Sequence, residues 1–287
     1  PMTDSLKGRT IFMSGGSRGI GLAIAVRAAS DGARVAFVAK TAEPHPKLPG
    51  TIYTAAEEIE AAGGEALPIV GDVRDAEGVE SAVAQAVERY GGIDMVVNNA
   101  SAINLASMGD LEVKRFDLIQ QINARGTFVV TRACLPHLRE SEHAHVLTLS
   151  PPLSADPRWL RGHSAYTLSK MGMTMLTLGL AADEKERGVA ANCLWPRTII
   201  ATAAVQNLLG GDEAMIRART PEIMGDAARE ILNRDPLACT GNAFLDDEVL
   251  AEAGITDLGR YSPSEESDLA LDLFVDGWPE PAPVSGT

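Results

Sequence analysis

The chain has 287 residues, of which 45% are hydrophobic and 22% are charged, and this composition excludes a largely disordered protein. Its net charge of -14 at pH 7 argues against nucleic acid as a partner, because binding to a phosphate backbone depends on clustered Lys and Arg. Cys134, Cys193 and Cys239 lie far apart without a CxxC pair, so we expect no disulfide framework, no zinc site and a cytoplasmic location.

Short apolar runs alternate along the chain with segments of helical periodicity. We predict strands at residues 10–14, 34–39, 66–70, 94–97, 145–150 and 189–194, and helices at 20–30, 55–62, 76–90, 111–139 and 164–187. The strand runs are apolar throughout, as in strands that are buried on both faces. The alternation predicts an α/β fold over residues 1–287, a single-domain Rossmann-type doubly wound parallel sheet with helices on both faces.

Two stretches are irregular by sequence. Residues 41–50 contain Pro44, Pro46 and Pro49, which deny the chain a ladder or a helix, so an exposed loop is expected after the second strand. Residues 247–287 contain four further prolines, at 263, 279, 281 and 283. This second stretch is predicted to be a tail that wraps the surface or frays.

A glycine-rich turn, SGGSRGIG at residues 14–21, joins the first strand to the first helix. Gly15, Gly19 and Gly21 remove side chains where the backbone must turn sharply, approach a pyrophosphate and pack against the sheet. Ser17, Arg18 and Ile20 complete the expected phosphate site at the helix N-terminus. A lone motif of this kind often marks only a tight turn, but here it opens a βαβ unit. A Walker-type loop is excluded because no Gly-Lys-Ser/Thr follows.

The end of the second strand indicates which dinucleotide is bound. An Asp or Glu there would accept hydrogen bonds from the ribose of NAD and repel a 2′-phosphate. This chain has Lys40 instead, with Arg18 in the glycine turn. Two cations without a carboxylate favour NADP (NADPH) over NAD, although Lys40 as an ordinary solvated lysine is the alternative.

Tyr166 and Lys170 are four residues apart in a segment of helical character. This spacing places both polar groups on one helix face, a turn apart. A nearby ammonium stabilises phenolate and is expected to lower the tyrosine pKa from about 10 towards working pH, as a general acid/base requires. A lone pair of this kind usually marks only a helix surface, so its significance depends on the glycine turn.

Taken together, these motifs resemble the short-chain dehydrogenase/reductase family over nearly the whole chain. The resemblance rests on SGGSRGIG at 14–21, Asp72-Val73 after the third strand, NNAS at 98–101, Asn123, and Tyr166 with Lys170. It implies an NAD(P)-dependent oxidoreductase that moves a hydride between the nicotinamide ring and a substrate carbon.

The resemblance also implies a role for each matching residue. Tyr166 exchanges a proton with the substrate oxygen, Lys170 also holds the nicotinamide ribose, and Asn123 supports a water relay to Lys170. The remaining implied cofactor contacts are Asp72 and Val73 at the adenine edge, Asn98, Asn99, Ala100 and Ser101 on the adenosine side, and Pro196, Thr198, Ile199 and Thr202 near the carboxamide.

Two positions depart from the family pattern. Leu153 stands where members usually have a substrate-orienting serine, so Ser150 at a strand end is the favoured replacement and Ser154 the alternative. A strand-end hydroxyl bonded to the backbone explains Ser150 equally well. Arg197 stands where members commonly have Gly. Together with SPPL at 150–153 and the loop after Lys40, this pattern resembles the hydroxysteroid-dehydrogenase-like subgroup, whose added sterol-carrier domain we do not expect in this chain.

Residues 198–211 leave the sixth strand at its carboxyl end and are expected to cover the substrate. Several apolar side chains suggest a pocket for a steroid, a terpenoid or a fatty chain, although they could pack a lid or another subunit. These are Trp159, Leu160, Trp195, Leu208 and Leu209.

The partners expected are therefore a small apolar substrate and a second copy of the chain. The resemblance implies a homodimer or homotetramer built on the helices at 111–139 and 164–187. No stretch approaches the roughly 18 apolar residues of a membrane span. His143 and His145 lack further ligands at metal spacing, so exposed histidines are expected there.

An alternative from another class is a dinucleotide-binding sensor or scaffold that has the same fold and little catalysis. Leu153 and Arg197 motivate it. Tyr166, Lys170 and Asn123 favour an active enzyme, because a protein that only binds the dinucleotide has no physical need for all three.

Overall fold

A seven-stranded parallel sheet runs through residues 6–278, the part of the chain that the computed structural model describes, in the order β3-β2-β1-β4-β5-β6-β7. The strands are β1 (Thr10–Ser14), β2 (Arg34–Ala39), β3 (Glu65–Val70), β4 (Met95–Asn98), β5 (Ala144–Leu149), β6 (Val189–Trp195) and β7 (Ala243–Leu245). The first six match the predicted strands to within one residue at either end. β7 was not predicted, since three residues at the sheet edge give too short a pattern.

Helices cover both faces of the sheet, which confirms the predicted fold class. They are α1 (Gly19–Ser30), α2 (Ile52–Ala61), α3 (Ala76–Tyr90), α4 (Val113–Gln120), α5 (Gly126–Leu138), α6 (Pro157–Leu160), α7 (Ser164–Glu184), α8 (Ala203–Leu208), α9 (Gly211–Ile216), α10 (Glu222–Leu232) and α11 (Asp246–Glu252). Helices α1, α2, α10 and α11 pack on one face and α3, α5 and α7 on the other, each layer with its own apolar core.

The predicted helix over 111–139 is interrupted. A π-helical turn, Gln121–Arg125, separates α4 from α5. Such turns widen the helix by one residue and often occur at functional sites. No Gly or Pro marks this one, so the sequence gives no signal for it, whereas Pro136 lies inside α5.

The C-terminal stretch, predicted as a surface-wrapping tail, contains α11 and buried side chains. Tyr261, Leu269, Phe274 and Val275 are each at most 5% exposed. Pro279, Pro281 and Pro283 lie outside the described residues. Within 6–278, none of the helices combines the length and apolarity that crossing a membrane requires.

Candidate active site

The glycine turn is fitted against the turn that follows β4. Gly15 and Gly19 have φ of +75° and +57°, which glycine adopts without strain. A Cβ on Gly21 would lie 2.4 Å from the Gly15 carbonyl oxygen and 2.5 Å from Asn99 Nδ2, and a Cβ on Gly15 would lie 2.9 Å from Ala100 Cα. Larger residues at Gly15 and Gly21 therefore cannot fit without moving the backbone.

Hydrogen bonds join the same two turns. The Ser14 hydroxyl accepts from the backbone N–H groups of Asn99 and Ala100, each at 3.2 Å, and Asn99 Nδ2 donates to the Gly15 carbonyl at 2.7 Å. The strand order reverses between β1 and β4, so these turns flank the crevice where open α/β sheets bind ligands. The structure thus brings together the residues predicted for the pyrophosphate and the adenosine.

Asn98 braces this edge of the sheet. Its side-chain amide donates to Thr131 Oγ1 on α5 at 2.9 Å and to Thr148 Oγ1 on β5 at 3.3 Å. Asn98 thus links β4 to α5 and β5 through hydrogen bonds.

Basic side chains gather at the carboxyl end of β2. Lys40 Nζ lies 3.1 Å from Asp72 Oδ2, and Arg74 Nη2 lies 2.6 Å from the same oxygen. Hydrogen bonds from Arg74 and Lys40 hold the pKa of Asp72 well below its usual range. Asp72 therefore stays charged with its charge already compensated, so it repels a further anion less than a free carboxylate would.

Arg18, in the glycine turn, is half-buried against the proline-containing loop of residues 41–50. Its Nε donates to the Pro49 carbonyl at 3.3 Å, while its Nη2 is buried without a hydrogen-bond partner among the described residues. Burial lowers the pKa of Arg18. A buried donor of this kind is costly unless something binds it, so it fits an anionic ligand.

Lys170 is buried beneath the carboxyl end of β5, with 2% of its surface exposed. Its ammonium donates to the Leu149 carbonyl at 2.7 Å, lies 3.5 Å from Ser101 Oγ, and sits 5.1 Å from the centroid of the Trp195 ring. Burial lowers the pKa of Lys170 to about 7. Near neutral pH the amine can therefore both hold and release a proton.

Tyr166 is one turn earlier on α7 and is 3% exposed. Burial, with a smaller contribution from the carboxylate of Asp272, raises the pKa of its phenol. The prediction that Lys170 lowers the pKa of Tyr166 was therefore wrong for this structure, in which the phenol ring is covered. Desolvation of the covered ring is the main cause, and the charge that acts on the phenol is the carboxylate of Asp272, which raises the pKa further.

Asn123 lies in the π-helical turn and is fully buried. Its Oδ1 accepts from the Ala102 N–H at 2.7 Å, and its Nδ2 donates to Ser169 Oγ at 2.8 Å. Ser169 in turn donates to the Tyr166 carbonyl at 2.7 Å. Asn123 therefore braces the helix that carries Tyr166 and Lys170, through Ser169, which was not predicted from the sequence.

Neither candidate serine contacts Tyr166 through a hydrogen bond. Ser150 is fully buried and its hydroxyl accepts from Thr174 Oγ1 at 2.8 Å, one turn beyond Lys170. Ser154 is half-buried and its hydroxyl accepts from the Asp156 N–H at 3.2 Å. The geometry thus gives Ser150 a structural partner of its own.

We expect Ser150→Ala to reduce the free energy of unfolding by about 1 kcal/mol, because the buried hydrogen bond between the Ser150 and Thr174 hydroxyls is lost, while kcat changes less than threefold. Ser154→Ala serves as the matched comparison. Chemical denaturation and NADPH-dependent turnover of both variants test this. A large drop in kcat for Ser150→Ala at unchanged stability would restore its substrate-orienting role.

The chain after β6 carries the residues predicted near the carboxamide. Thr198 is fully buried, and its hydroxyl has no hydrogen-bond partner among the described residues. Arg197 beside it is 4% exposed, and its guanidinium bonds to Asp247 and, at 2.6 Å, to Glu248 at the start of α11. The position that departs from the family pattern is thus an ion-paired anchor.

These features fit a bound dinucleotide. The close-packed glycine turn contains one buried donor without a partner among the described residues, Arg18 Nη2, and the chain after β6 contains another, the Thr198 hydroxyl. The arrangement offers a phosphate site, an adenosine side and a polar contact for a carboxamide. The glycine turn was predicted from the motif itself, and the adenosine and carboxamide contacts remain predictions that the family resemblance implies.

The apolar residues predicted for the pocket divide into two groups. Trp159 and Trp195 pack with Tyr166 in one apolar cluster, whereas Leu160 and Leu208 are exposed. Phe274 joins this cluster from the C-terminal stretch, a contact that no sequence signal indicated. The surroundings of Tyr166 are therefore aromatic and are formed partly by the chain's last described residues.

His143 and His145 lie at the amino-terminal end of β5, opposite to the end that contacts Lys170. Their Nε2 atoms bond to the carbonyls of Leu232 at 2.8 Å and Arg234 at 2.9 Å. Burial lowers the pKa of His145 to about 4, so this side chain is neutral near neutral pH. The expectation of exposed histidines was therefore wrong: His145 is 1% exposed and His143 is half-buried, because both rings bond to backbone carbonyls at the end of α10.

Comparison with known proteins supports the assignment of the motifs. The family model described as short chain dehydrogenase matches residues 9–211. A protein of Danio rerio named hydroxysteroid dehydrogenase-like protein 2 is 51% identical over 97% of this chain and 66% of its own length. The human protein of the same name is 48% identical, again over 66% of its length. The chain therefore spans about two thirds of these relatives.

Solved structures show the same architecture. A short chain dehydrogenase from Mycobacterium thermoresistibile is 57% identical with a TM-score of 0.91, and the match covers 98% of this chain and 100% of that one. A blue fluorescent protein from a metagenomic library, in complex with NADPH, is 27% identical with a TM-score of 0.72, covering 84% and 97% of the two chains.

Proposed function

This chain belongs to the short-chain dehydrogenase/reductase family of NAD(P)-dependent oxidoreductases, and on that premise we propose that it transfers a hydride between NADP(H) and an apolar alcohol or carbonyl compound. The observation that carries the proposal is the buried pair of Tyr166 and Lys170 at the carboxyl edge of the sheet, beside the glycine turn.

Particular residues would hold the dinucleotide. The turn from Gly15 to Gly21 binds the pyrophosphate, and the turn after β4, with Asp72 and Val73, binds the adenosine. Lys170 holds the nicotinamide ribose, while Pro196, Thr198 and Ile199 contact the carboxamide. When bound, the cofactor supplies or accepts the hydride.

The chain's own residues handle the proton. In the reducing direction the Tyr166 hydroxyl donates its proton to the substrate oxygen, and in the oxidising direction the phenolate takes it back. Lys170, with a pKa near 7, supplies positive charge that stabilises the phenolate as it forms. Asn123 and Ser169 fix the position of α7 through hydrogen bonds, so Tyr166 and Lys170 keep their positions relative to each other.

The NADP preference is supported by the charges around the end of β2. Arg18 has a buried donor without a partner, and Lys40 and Arg74 neutralise the nearby carboxylate of Asp72. A 2′-phosphate would therefore meet cations instead of an unpaired negative charge. The NADPH complex of the metagenomic relative is consistent with this preference.

We expect Arg18→Ala and Lys40→Ala each to weaken NADPH binding by about 10- to 100-fold, the loss of one charge-assisted hydrogen bond, and to change NADH binding little. Titration calorimetry with both cofactors measures this. Lys47→Ala, in the same loop, is the matched control. Tighter binding of NADH than NADPH by the unaltered chain would contradict the assignment.

The substrate proposal follows from the aromatic surroundings of Tyr166. Trp159, Trp195 and Phe274 are apolar side chains within one cluster. A steroid, a terpenoid or a fatty chain would bury its surface there, and the name of the zebrafish relative makes steroids the first class to test. NADPH oxidation in the presence of a panel of apolar ketones and aldehydes tests the activity.

The alternative function, a dinucleotide sensor with little catalysis, is favoured by one observation. Tyr166 is almost fully covered in this structure. Tight NADPH binding without turnover of any carbonyl compound in the panel would support the sensor and reject the enzyme.

We also propose that the chain forms a homodimer or homotetramer and works in a reducing compartment. Phe128 on α5 and Leu168 and Met175 on α7 leave apolar surface exposed on the two helices expected to pair. The three cysteines are buried as free thiols. Light scattering of the purified chain measures its molar mass in solution. A monomer at micromolar concentration would reject the proposed homodimer or homotetramer.

A further inference from the structure

Residues Leu269–Trp278 form a segment, here called the cover, that lies over the catalytic pair. It pairs through its backbone with the chain after β6, because the Ile199 N–H donates to Ala270 at 3.0 Å and the Asp272 N–H donates to Arg197 at 2.9 Å. Its Leu273 carbonyl accepts from Trp195 Nε1 at 2.8 Å. The cover is thus held in place by ordered contacts.

Phe274 points from the cover into a cage of aromatic rings. Its ring centroid lies 6.2 Å from that of Tyr166, with the planes 29° apart. The rings of Trp159, Trp195 and His163 surround it at 5.8, 5.9 and 6.1 Å. Phe274 therefore stacks on the side chain that the proposed reaction needs.

The backbone at Phe274 is strained. Its φ is +69°, and within residues 6–278 it is the one non-glycine residue with positive φ. A bulky side chain persists in this region only where surrounding contacts hold it. Contacts of the ring in the cage do so here, so a ligand that replaces the ring would also let the backbone relax.

Catalysis requires space for a substrate next to Tyr166 and Lys170, and this structure leaves almost none. Tyr166 and Lys170 are 3% and 2% exposed, so a substrate oxygen has almost no surface of either group to contact. Phe274, itself 4% exposed, covers the phenol ring from the cover side. Substrate access therefore calls for this ring to leave the cage.

We infer that Phe274 determines substrate specificity by occupying the place of the substrate, so that the preferred substrate carries a flat, ring-sized apolar group next to its carbonyl or hydroxyl carbon. The inference rests on the proposed function for the reaction type. A flat ring regains the contacts that Phe274 gives up, since aromatic groups stack favourably at such distances. A linear chain regains fewer of them.

Arg197 anchors the cover to α11. Its guanidinium bonds to the Gly277 carbonyl in the cover and to Asp247 and Glu248 of α11. At the surface, Arg158 pairs with Asp276 at 2.6 Å. The arginine that replaces the family's glycine thus fastens the cover to the body of the protein.

The test measures binding of two ketones with equal carbon number, 2-tetralone and 2-decanone, to the full chain loaded with NADP⁺. A ketone and the oxidised cofactor cannot react, so calorimetry reports binding alone. Phe274→Gly removes the ring and accepts the positive φ, and Tyr53→Ala is a control that removes an exposed ring on α2. We expect the unaltered chain to bind 2-tetralone about tenfold more tightly than 2-decanone. Phe274→Gly should bind both ketones about tenfold more tightly than the unaltered chain does, because neither ketone then has to displace the ring.

Hydrogen exchange of the unaltered chain gives a second measurement without any substitution. Amides of the cover are expected to exchange faster once 2-tetralone is bound. Unchanged or weaker binding by Phe274→Gly, equal affinity of the unaltered chain for the two ketones, no binding by any form, or a cover that stays protected would each overturn the inference. Displacement of the cover without NADPH-dependent turnover would reject the proposed function alone.

Discussion

Replacing Tyr166 by Phe is expected to lower kcat by about 10²- to 10⁴-fold, the usual contribution of a positioned general acid/base. The substitution removes one oxygen from a buried ring and leaves its packing against Trp159, Trp195 and Phe274 intact. The substrate oxygen then loses the hydroxyl that is proposed to exchange a proton with it. Steady-state turnover of an apolar ketone with NADPH measures the effect.

The control is Tyr53→Phe, which removes the same atom from an exposed ring on α2. We expect it to leave kcat unchanged, while both variants bind NADPH as the unaltered chain does. Residual turnover of Tyr166→Phe within a few fold of the unaltered rate would show that another group moves the proton.

Substituting Gly21 by Ala is expected to cause the second large effect. The added Cβ would lie 2.4 Å from the Gly15 carbonyl oxygen, a backbone atom that can move only if the whole turn moves. Overpacking of this kind costs about 1–3 kcal/mol of stability. The displaced turn should also bind NADPH about 5- to 150-fold more weakly, if a similar energy is lost from binding.

Gly92→Ala is the matched control, since its Cβ would meet no atom within 4 Å. We expect Gly92→Ala to keep both stability and affinity. Denaturation curves and NADPH titrations of the two variants separate the predictions. Full affinity in Gly21→Ala would mean that the cofactor does not approach this turn.

The sheet could be predicted from sequence because its strands are buried on both faces. Runs such as 10–14 and 34–39 consist mainly of apolar residues and end at a Gly or a polar turn, so both the strand and its end can be predicted from the sequence. The glycine turn and the α7 pair were equally visible, because their function depends on spacing within one short segment.

The π-helical turn and the cover could not be predicted in this way. Gln121–Arg125 is stabilised by bonds from Asn123 to distant backbone, and no local pattern encodes such a contact. Phe274 reaches Tyr166 across more than a hundred residues, so its place depends on the folded sheet. The raised pKa of Tyr166 follows from the same burial and was missed for the same reason.

The most direct test of the proposed reaction is a crystal structure of the chain with NADP⁺ and 2-tetralone bound. We expect the Tyr166 oxygen to lie within about 2.6–3.2 Å of the ketone oxygen, with Lys170 at the nicotinamide ribose and Phe274 out of the aromatic cage. A ketone bound away from Tyr166, with the phenol still covered, would contradict the proposal that this side chain moves the proton.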